Sequence, residues 1–185
     1  MKTLKELFAT PRMYYIPLQH NNTVEGLFEL VKETVKPDFT IVEIGSFSGV
    51  SSELFARFCK KLICVDIWNS DPTYTEIDSE KTLTSLTHFN KMKKDYDNIV
   101  QMKMTSLEAS KSIADNSIDF VYIDGSHDYE GVMIDIKAWL PKIKKGGWIT
   151  GHDIDLDGER VHKAVNEMFG KKYKTYPDTS WAVQL

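Results

Sequence analysis

Apolar residues follow two alternating rhythms along this chain. Near-continuous apolar runs at Thr40 to Ile44, Leu62 to Ile67, Ile99 to Met104, Ile118 to Ile123 and Gly146 to Gly151 predict strands. Between them, apolar positions recur at helical spacing. Val50, Leu54, Phe55 and Phe58 form one stripe over Val50 to Phe58. Val161, Ala164, Val165, Met168 and Phe169 form another, with Asp157 placed to cap it. Further helices are predicted from Ser79, read as an N-cap, to about Lys94, from Ser106 to Ile113, and from Tyr129 to Leu140, where Pro141 ends it. Lys172 to Tyr176 and Ser180 to Leu185 read as a closing hairpin.

Strands alternating with helices predict an α/β fold: a Rossmann-like, seven-stranded, mostly parallel sheet with a C-terminal antiparallel hairpin and helices on both faces. Ile118 to Ile123 is the most apolar run and is expected at the sheet centre, buried on both faces. Residues 1–185 are expected to make a single domain, with 1–36 an N-terminal arm and helix and 38–185 the core. The arm holds Pro11, Tyr14, Tyr15, Pro17 and His20. It is a candidate cover for a ligand cleft, or a homodimer contact, or simple surface packing.

Composition narrows the classes. With 42% hydrophobic and 27% charged residues in 185, the chain reads as a globular protein with a sizeable core. A net charge of -4 argues against a broad nucleic-acid surface, although lysines cluster near residues 91–94, 142–145 and 171–174. No apolar stretch is long enough to span a bilayer, and Met1 to Thr10 has no signal-peptide core. Cys59 and Cys64 match neither a metal spacing nor a disulfide framework, which points to a reducing, cytoplasmic-type setting and to thiols that act as apolar filler.

Chemistry concentrates where strands end. The first strand runs into Gly45-Ser46-Phe47-Ser48-Gly49, and the second ends on Asp66. Glycines let a ligand approach the backbone, and a carboxylate at the end of the second strand suits ribose hydroxyls, so an adenosine-containing cofactor is expected. The turn is not Gly-x-Gly-x-x-Gly: Phe47 fills its centre, and Glu43 lies inside the strand end. A carboxylate there repels a pyrophosphate and suits an amine or sulfonium, which favours S-adenosylmethionine over NAD. The rival readings are a nucleotide-sugar or NAD-binding protein on the same sheet, and a cofactor-binding subunit without turnover.

Val42-Glu43-Ile44-Gly45-Ser46-Phe47-Ser48-Gly49-Val50-Ser51-Ser52 resembles the first motif of class I S-adenosylmethionine-dependent methyltransferases, in the subgroup with Glu-Ile-Gly-x-Phe/Tyr-x-Gly-x-Ser. Asp119 to Asp153 resembles the same subgroup, which includes sugar O-methyltransferases. The resemblance covers roughly residues 38–185. It implies that Glu43 and Gly45 lie near the methionine portion, that Asp66 binds the ribose and that Ser106 or its neighbours border the adenine. It extends the candidate cofactor set to Ser46, Phe47, Gly49, Ser51, Ile67 and Asp124. Trp68, beside Asp66, is a candidate wall for the adenine or ribose, or else an anchoring aromatic.

The fourth strand ends in Asp124-Gly125-Ser126-His127, and the fifth in Gly151-His152-Asp153. Ligands of open parallel sheets bind beyond such strand ends, so both clusters should face the cofactor cleft. Two roles compete. In one, Asp124, His152 and Asp153 hold Mg²⁺ or Mn²⁺, which orients and acidifies a diol while His127 acts as base. In the other there is no metal; His127 or His152 is the base, and Asp124 orients it. Metal-dependent members of the resembling family carry acids at these strand ends and a His three residues after the first. Asp124, His127 and Asp153 match that pattern, whereas His152 stands where some relatives have a second acid. The expected activity is O-methylation of a hydroxylated small molecule or glycan, with no nucleic-acid or membrane partner. Residues 1–22 and Asn69 to Asp78, with Tyr14, Tyr15 and Tyr74, are the expected acceptor cover.

Overall fold

Parallel pairing of the apolar runs places their carboxyl ends along one edge of the sheet. A computed structural model describes residues 21–68, 76–155 and 160–185, with the side chains of 21–23 and 76–84 left out. The elements are α1 (Asn21–Thr34), β1 (Thr40–Ile44), α2 (Val50–Ala56), β2 (Lys61–Asp66), α3 (Glu76–Lys93), β3 (Ile99–Lys103) and α4 (Ser106–Ser112). They continue as β4 (Ile118–Ile123), α5 (Tyr129–Trp139), a 3-10 turn (Leu140–Lys142), β5 (Ile143–Gly151), α6 (Arg160–Phe169), β6 (Lys174–Thr175) and β7 (Trp181–Gln184). The strands form one seven-stranded sheet in the order β3-β2-β1-β4-β5-β7-β6. All neighbours pair parallel except β7, which is antiparallel to both β5 and β6.

Each strand has apolar residues on both faces because helices cover both. Val42, Ile44, Val65, Val121 and Ile123 pack against Ala109 of α4, Ile136 and Trp139 of α5 and Val165 of α6. Ile41, Leu62, Phe120 and Tyr122 face Leu30 of α1, Phe55 of α2 and Phe89 of α3. Phe120 and Tyr122 are 0% and 1% exposed, which confirms β4 as the central strand that its sequence predicts. The chain order reverses between β1 and β4, so the crevice at their carboxyl ends is the place where this fold accepts a ligand.

Several local expectations need correction. Ser79 does not cap α3; that helix already starts at Glu76. α2 ends at Ala56, two residues before the expected Phe58, and leaves Cys59 in the link to β2. Burial pushes its thiol up to about 12 and the Cys64 thiol well above its ordinary value, so neither is a reactive thiolate. β5 starts at Ile143, three residues before the expected Gly146. The arm, the loop with Tyr74 and the cap at Asp157 lie outside the described residues. Among those described, no helix is long and apolar enough to cross a membrane.

Candidate functional site

The β1–α2 turn is built on a backbone that few residues tolerate. Gly45 sits at φ 86° and Gly49 at φ 89°, while Phe47 adopts φ 42°. Positive φ at a non-glycine residue is strain that its surroundings must hold in place. Here Asp66 does the holding. Its Oδ2 accepts the Phe47 N–H at 2.9 Å, and its Oδ1 accepts the Trp68 N–H at 2.8 Å. The Trp68 indole donates to the Phe47 carbonyl at 2.8 Å and packs on Phe89, with ring centroids 4.6 Å apart. Trp68 is 4% exposed, so it anchors the turn from below and is not part of the cleft wall.

Glu43 is buried beneath the same turn. Its Oε2 accepts the Ser46 hydroxyl at 2.7 Å and also the Ser52 hydroxyl, while Oε1 finds no partner. Burial pushes this carboxyl up, and the hydroxyls of Ser46, Ser51 and Ser52 offset that only in part. Glu43, Ser46 and Ser52 therefore brace the turn from inside, and Gly49 packs against Met92 and Phe89.

Above the turn lies a cleft of about 650 Å³. Gly45, Phe47, Asp66 and Ile67 line it from the β1 and β2 ends, Ser106 from α4, and Asp124 and His127 from the β4 end. Phe47, Ile67, Leu107 and Ile134 are 56%, 46%, 45% and 51% exposed, and all four face it. Large exposed apolar side chains gathered on one concavity mark a place for an apolar or aromatic group. Asp135 of α5 also lines the cleft, is buried, and has a carboxyl raised by burial and held down in part by the Ser106 hydroxyl. That hydroxyl accepts the Trp139 indole N–H at 2.8 Å, so its own proton is directed to Asp135. Asp135 was not legible as a site residue, because in sequence it reads as one more polar position on an amphipathic helix.

At one end of the cleft, the β4 and β5 ends bring four groups together. His152 Nδ1 lies 2.8 Å from Asp153 Oδ1 and 3.8 Å from Asp124 Oδ1. His127 Nε2 lies 3.3 Å from Asp153 Oδ2 and 3.8 Å from Asp124 Oδ1. One ligand atom from each of Asp124, His152 and Asp153 falls within 4.8 Å of the others, which is close enough to share a cation. Asp153 takes φ 60°, a third strained position at the site after Phe47 and Trp68 at φ 39°. His127 is 65% exposed and His152 only 17%, so the two imidazoles are not equivalent: one faces the opening and the other lies inside the cluster.

Without a cation, this cluster retains protons. Burial raises Asp124 from 3.8 to about 8, with the His152 charge opposing and the other nearby acids adding to the rise. Burial alone would lower His152, but the Asp153 hydrogen bond and the charges of Asp124, Asp153 and Asp178 lift it from 6.5 to about 9. Asp153 is lowered: burial works against this, and the His152 contact outweighs it. The stabilisation from His152 is thus complete below pH 6.5 and lost as pH rises through about 9. Asp124 acts in the same direction up to about pH 8, because the folded chain holds a proton that the unfolded chain has released. In chelator, Tm is expected to fall steadily from pH 6.5 to 9. A flat or rising Tm over that window would show that His152 is neutral.

A family model described as a methyltransferase domain matches residues 42–154. Protein R132 of Acanthamoeba polyphaga mimivirus, itself uncharacterized, is 31% identical over 151 residues, covering 76% of this chain and 66% of R132. The uncharacterized protein y4gI of Sinorhizobium fredii is 25% identical over 122 residues; the match takes in 63% of this chain but 13% of that one. The chain thus spans less than two thirds of either curated relative. Among solved structures, SMU.1697c of Streptococcus mutans, in complex with S-adenosylhomocysteine, superposes with a TM-score of 0.63 at 10% identity, over 88% of this chain and 97% of that one. At that identity the likeness is one of fold.

Proposed function

Because the chain belongs to the methyltransferase-domain family, with its class I S-adenosylmethionine-dependent fold, we propose that it uses S-adenosylmethionine to O-methylate a hydroxylated small molecule or glycan, assisted by a divalent cation. The observation that carries this reading is a single cleft lined by Asp66, Asp124 and His127, with His152 and Asp153 within 4 Å of the last two.

The residues present fit the donor. Each Asp66 oxygen holds one backbone N–H and keeps a lone pair for a ribose hydroxyl, so binding need not dismantle the turn. Phe47, Ile67, Leu107 and Ile134 supply apolar walls for a purine, and Asp135 with Ser106 offers an acceptor for an exocyclic amine. The donor supplies a methyl group already activated on a sulfonium. What is left to the protein is alignment and removal of one proton.

Asp124, His152 and Asp153 fit a cation. An imidazole among two carboxylates favours Mn²⁺ or a later transition metal over Mg²⁺. When bound, such an ion holds and acidifies substrate hydroxyls. His127, exposed at the opening, accepts the hydroxyl proton at Nε2, and Asp153 at 3.3 Å stabilises the resulting imidazolium. A net charge of -4 and this acidic cluster disfavour a phosphate-rich acceptor such as nucleic acid.

Calorimetric titration with S-adenosylhomocysteine, with NAD in parallel, tests the donor assignment. Micromolar binding of the first and none of the second is expected, and Asp66→Ala should weaken it by more than about tenfold, the loss of charge-assisted hydrogen bonds. NAD binding would favour a dinucleotide protein instead. Wild-type affinity in Asp66→Ala would remove the ribose role of this residue.

A further inference from the structure

We infer that Asp178, in the β6–β7 turn, is a positioning residue for the candidate cation centre: its buried carboxylate faces the Nε2–H of His152 and leaves Nδ1, which points to Asp124 and Asp153, as the nitrogen that exchanges its proton for a cation. This rests on the cation reading above and adds a member that no local pattern announces, since Asp178 lies in another element and shares no motif with His152.

Three observations converge. First, the two ring nitrogens of His152 face different carboxylates. Nδ1 faces Asp153 Oδ1 at 2.8 Å and Asp124 Oδ1 at 3.8 Å, while Nε2 faces Asp178 Oδ2 at 3.9 Å. An imidazole can ligate through one nitrogen only, and the other nearly always gives its N–H to an oxygen that sets the tautomer. Here the nitrogen beside the candidate ligands is Nδ1, and the group on the far side is a carboxylate. Second, the Asp178 side chain is 1% exposed, so water does not compete for it. A carboxylate so deeply placed needs partners.

Third, the partners it has all donate to it. Ser180 gives its N–H to Oδ1 at 3.2 Å and its hydroxyl to Oδ2 at 2.7 Å. Because the Ser180 hydroxyl proton is committed to Asp178, the Tyr122 hydroxyl, 3.1 Å from Ser180 Oγ, donates in turn. The relay runs from Tyr122 of β4 through Ser180 to Asp178, whose Oδ2 stands 3.9 Å from His152 Nε2, an ion-pair distance longer than a hydrogen bond.

The turn is also held in place. Ile154 N–H donates to the Thr179 carbonyl at 3.0 Å, tying it to the residue after Asp153, and Thr179 takes φ 70°. Gly26 of α1 closes over it; a Cβ there would lie 2.4 Å from the Asp178 nitrogen. A turn that served only to reverse the chain would not need a helix packed this closely over its acid. Outer carboxylates of this kind typically change metal affinity by 10–100-fold.

The test is titration of the full-length metal-free protein with Mn²⁺ by calorimetry and with Co²⁺ by its visible spectrum. Wild type, Asp178→Asn and Ser180→Ala are compared, with S-adenosylhomocysteine affinity as the check that each is folded. Asn keeps an oxygen for Ser180 but loses the charge, and Ser180→Ala loosens the same turn while keeping the charge. Asp178→Asn is expected to weaken both metals by about 10–100-fold and to alter the Co²⁺ spectrum, and Ser180→Ala, which keeps the charge and loses one donor, to weaken them markedly less, with cofactor affinity unchanged in both. Equal weakening by both variants, or none in Asp178→Asn, overturns the inference while leaving the cation centre intact. A wild type that takes up neither metal overturns the cation reading itself. If Asp178→Asn does not fold, the imidazole ¹⁵N shifts of Zn²⁺-loaded wild type decide: a ring bound through Nδ1 and protonated on Nε2 supports the role, and the opposite tautomer refutes it.

Discussion

Replacing His127 with alanine is expected to lower turnover by ~10²–10⁴-fold while leaving S-adenosylhomocysteine affinity unchanged. The geometry separates these two effects. His127 follows β4 by four residues, is 65% exposed, and makes no contact that holds the fold together. Its Nε2 lies 3.3 Å from Asp153 and 3.8 Å from Asp124, at the rim of the cluster where an acceptor hydroxyl would arrive. Removing the ring deletes the proton acceptor and its contacts to Asp153 and Asp124, and leaves the Asp66 end of the cleft as it was. The loss should fall on kcat, and added imidazole should restore part of it. Methyl transfer from labelled S-adenosylmethionine to the best acceptor in a panel of hydroxylated small molecules measures the effect. Undiminished turnover would leave His152 as the remaining imidazole of the cluster, and that ring, buried and held protonated up to about pH 9 by the surrounding carboxylates, has no free lone pair for an incoming hydroxyl.

The residues of this cluster were legible in the sequence because they sit at strand ends, and strand ends are what hydrophobic patterning reveals well. β1 and β4 run over the same residues as their apolar runs, Thr40 to Ile44 and Ile118 to Ile123. Once those ends are known, Asp66, Asp124 and Asp153 must share one edge of a parallel sheet. Harder to read was anything set by tertiary contact. The start of β5, Ile143-Lys144-Lys145, has no strand signature of its own; pairing with Ile118 and the Lys144–Asp119 ion pair at 2.7 Å place it there. The position of Trp68 near Asp66 suits either a ribose or adenine wall or an anchoring aromatic, and only the core contact with Phe89, which draws its ring below the turn, selects the second. Asp135 and Asp178 escaped for a related reason: one is a polar position on a helix and the other an ordinary turn acid, and only packing shows what each faces.

Gly45→Ala should disable the protein, and Gly146→Ala, at almost the same dihedral, should not. Both glycines hold positive φ, 86° and 80°, which costs an alanine about 1–2 kcal/mol wherever it occurs. They differ in what surrounds them. A Cβ on Gly146 would meet nothing within 4 Å, so the backbone cost is the whole cost. A Cβ on Gly45 would lie 2.1 Å from the Asp124 carbonyl oxygen and 2.7 Å from the Gly125 Cα. Neither neighbour can withdraw. Asp124 N–H is bonded to the Ile44 carbonyl at 2.8 Å, and Gly45 N–H to the Val65 carbonyl at 2.9 Å, so the β1, β2 and β4 ends are cross-linked around this point. Relief would come only by parting β1 from β4, which opens the switch point and moves Asp124 away from Asp66. The expected loss is about 4 kcal/mol or more, a fall in Tm of roughly 8–16 °C, together with loss of measurable S-adenosylhomocysteine binding. Thermal unfolding and calorimetry on the two variants side by side check this. Equal, mild effects in both would mean that the strand ends part easily, and the close approach of β1 to β4 would then not be what sets the geometry between cofactor and acceptor.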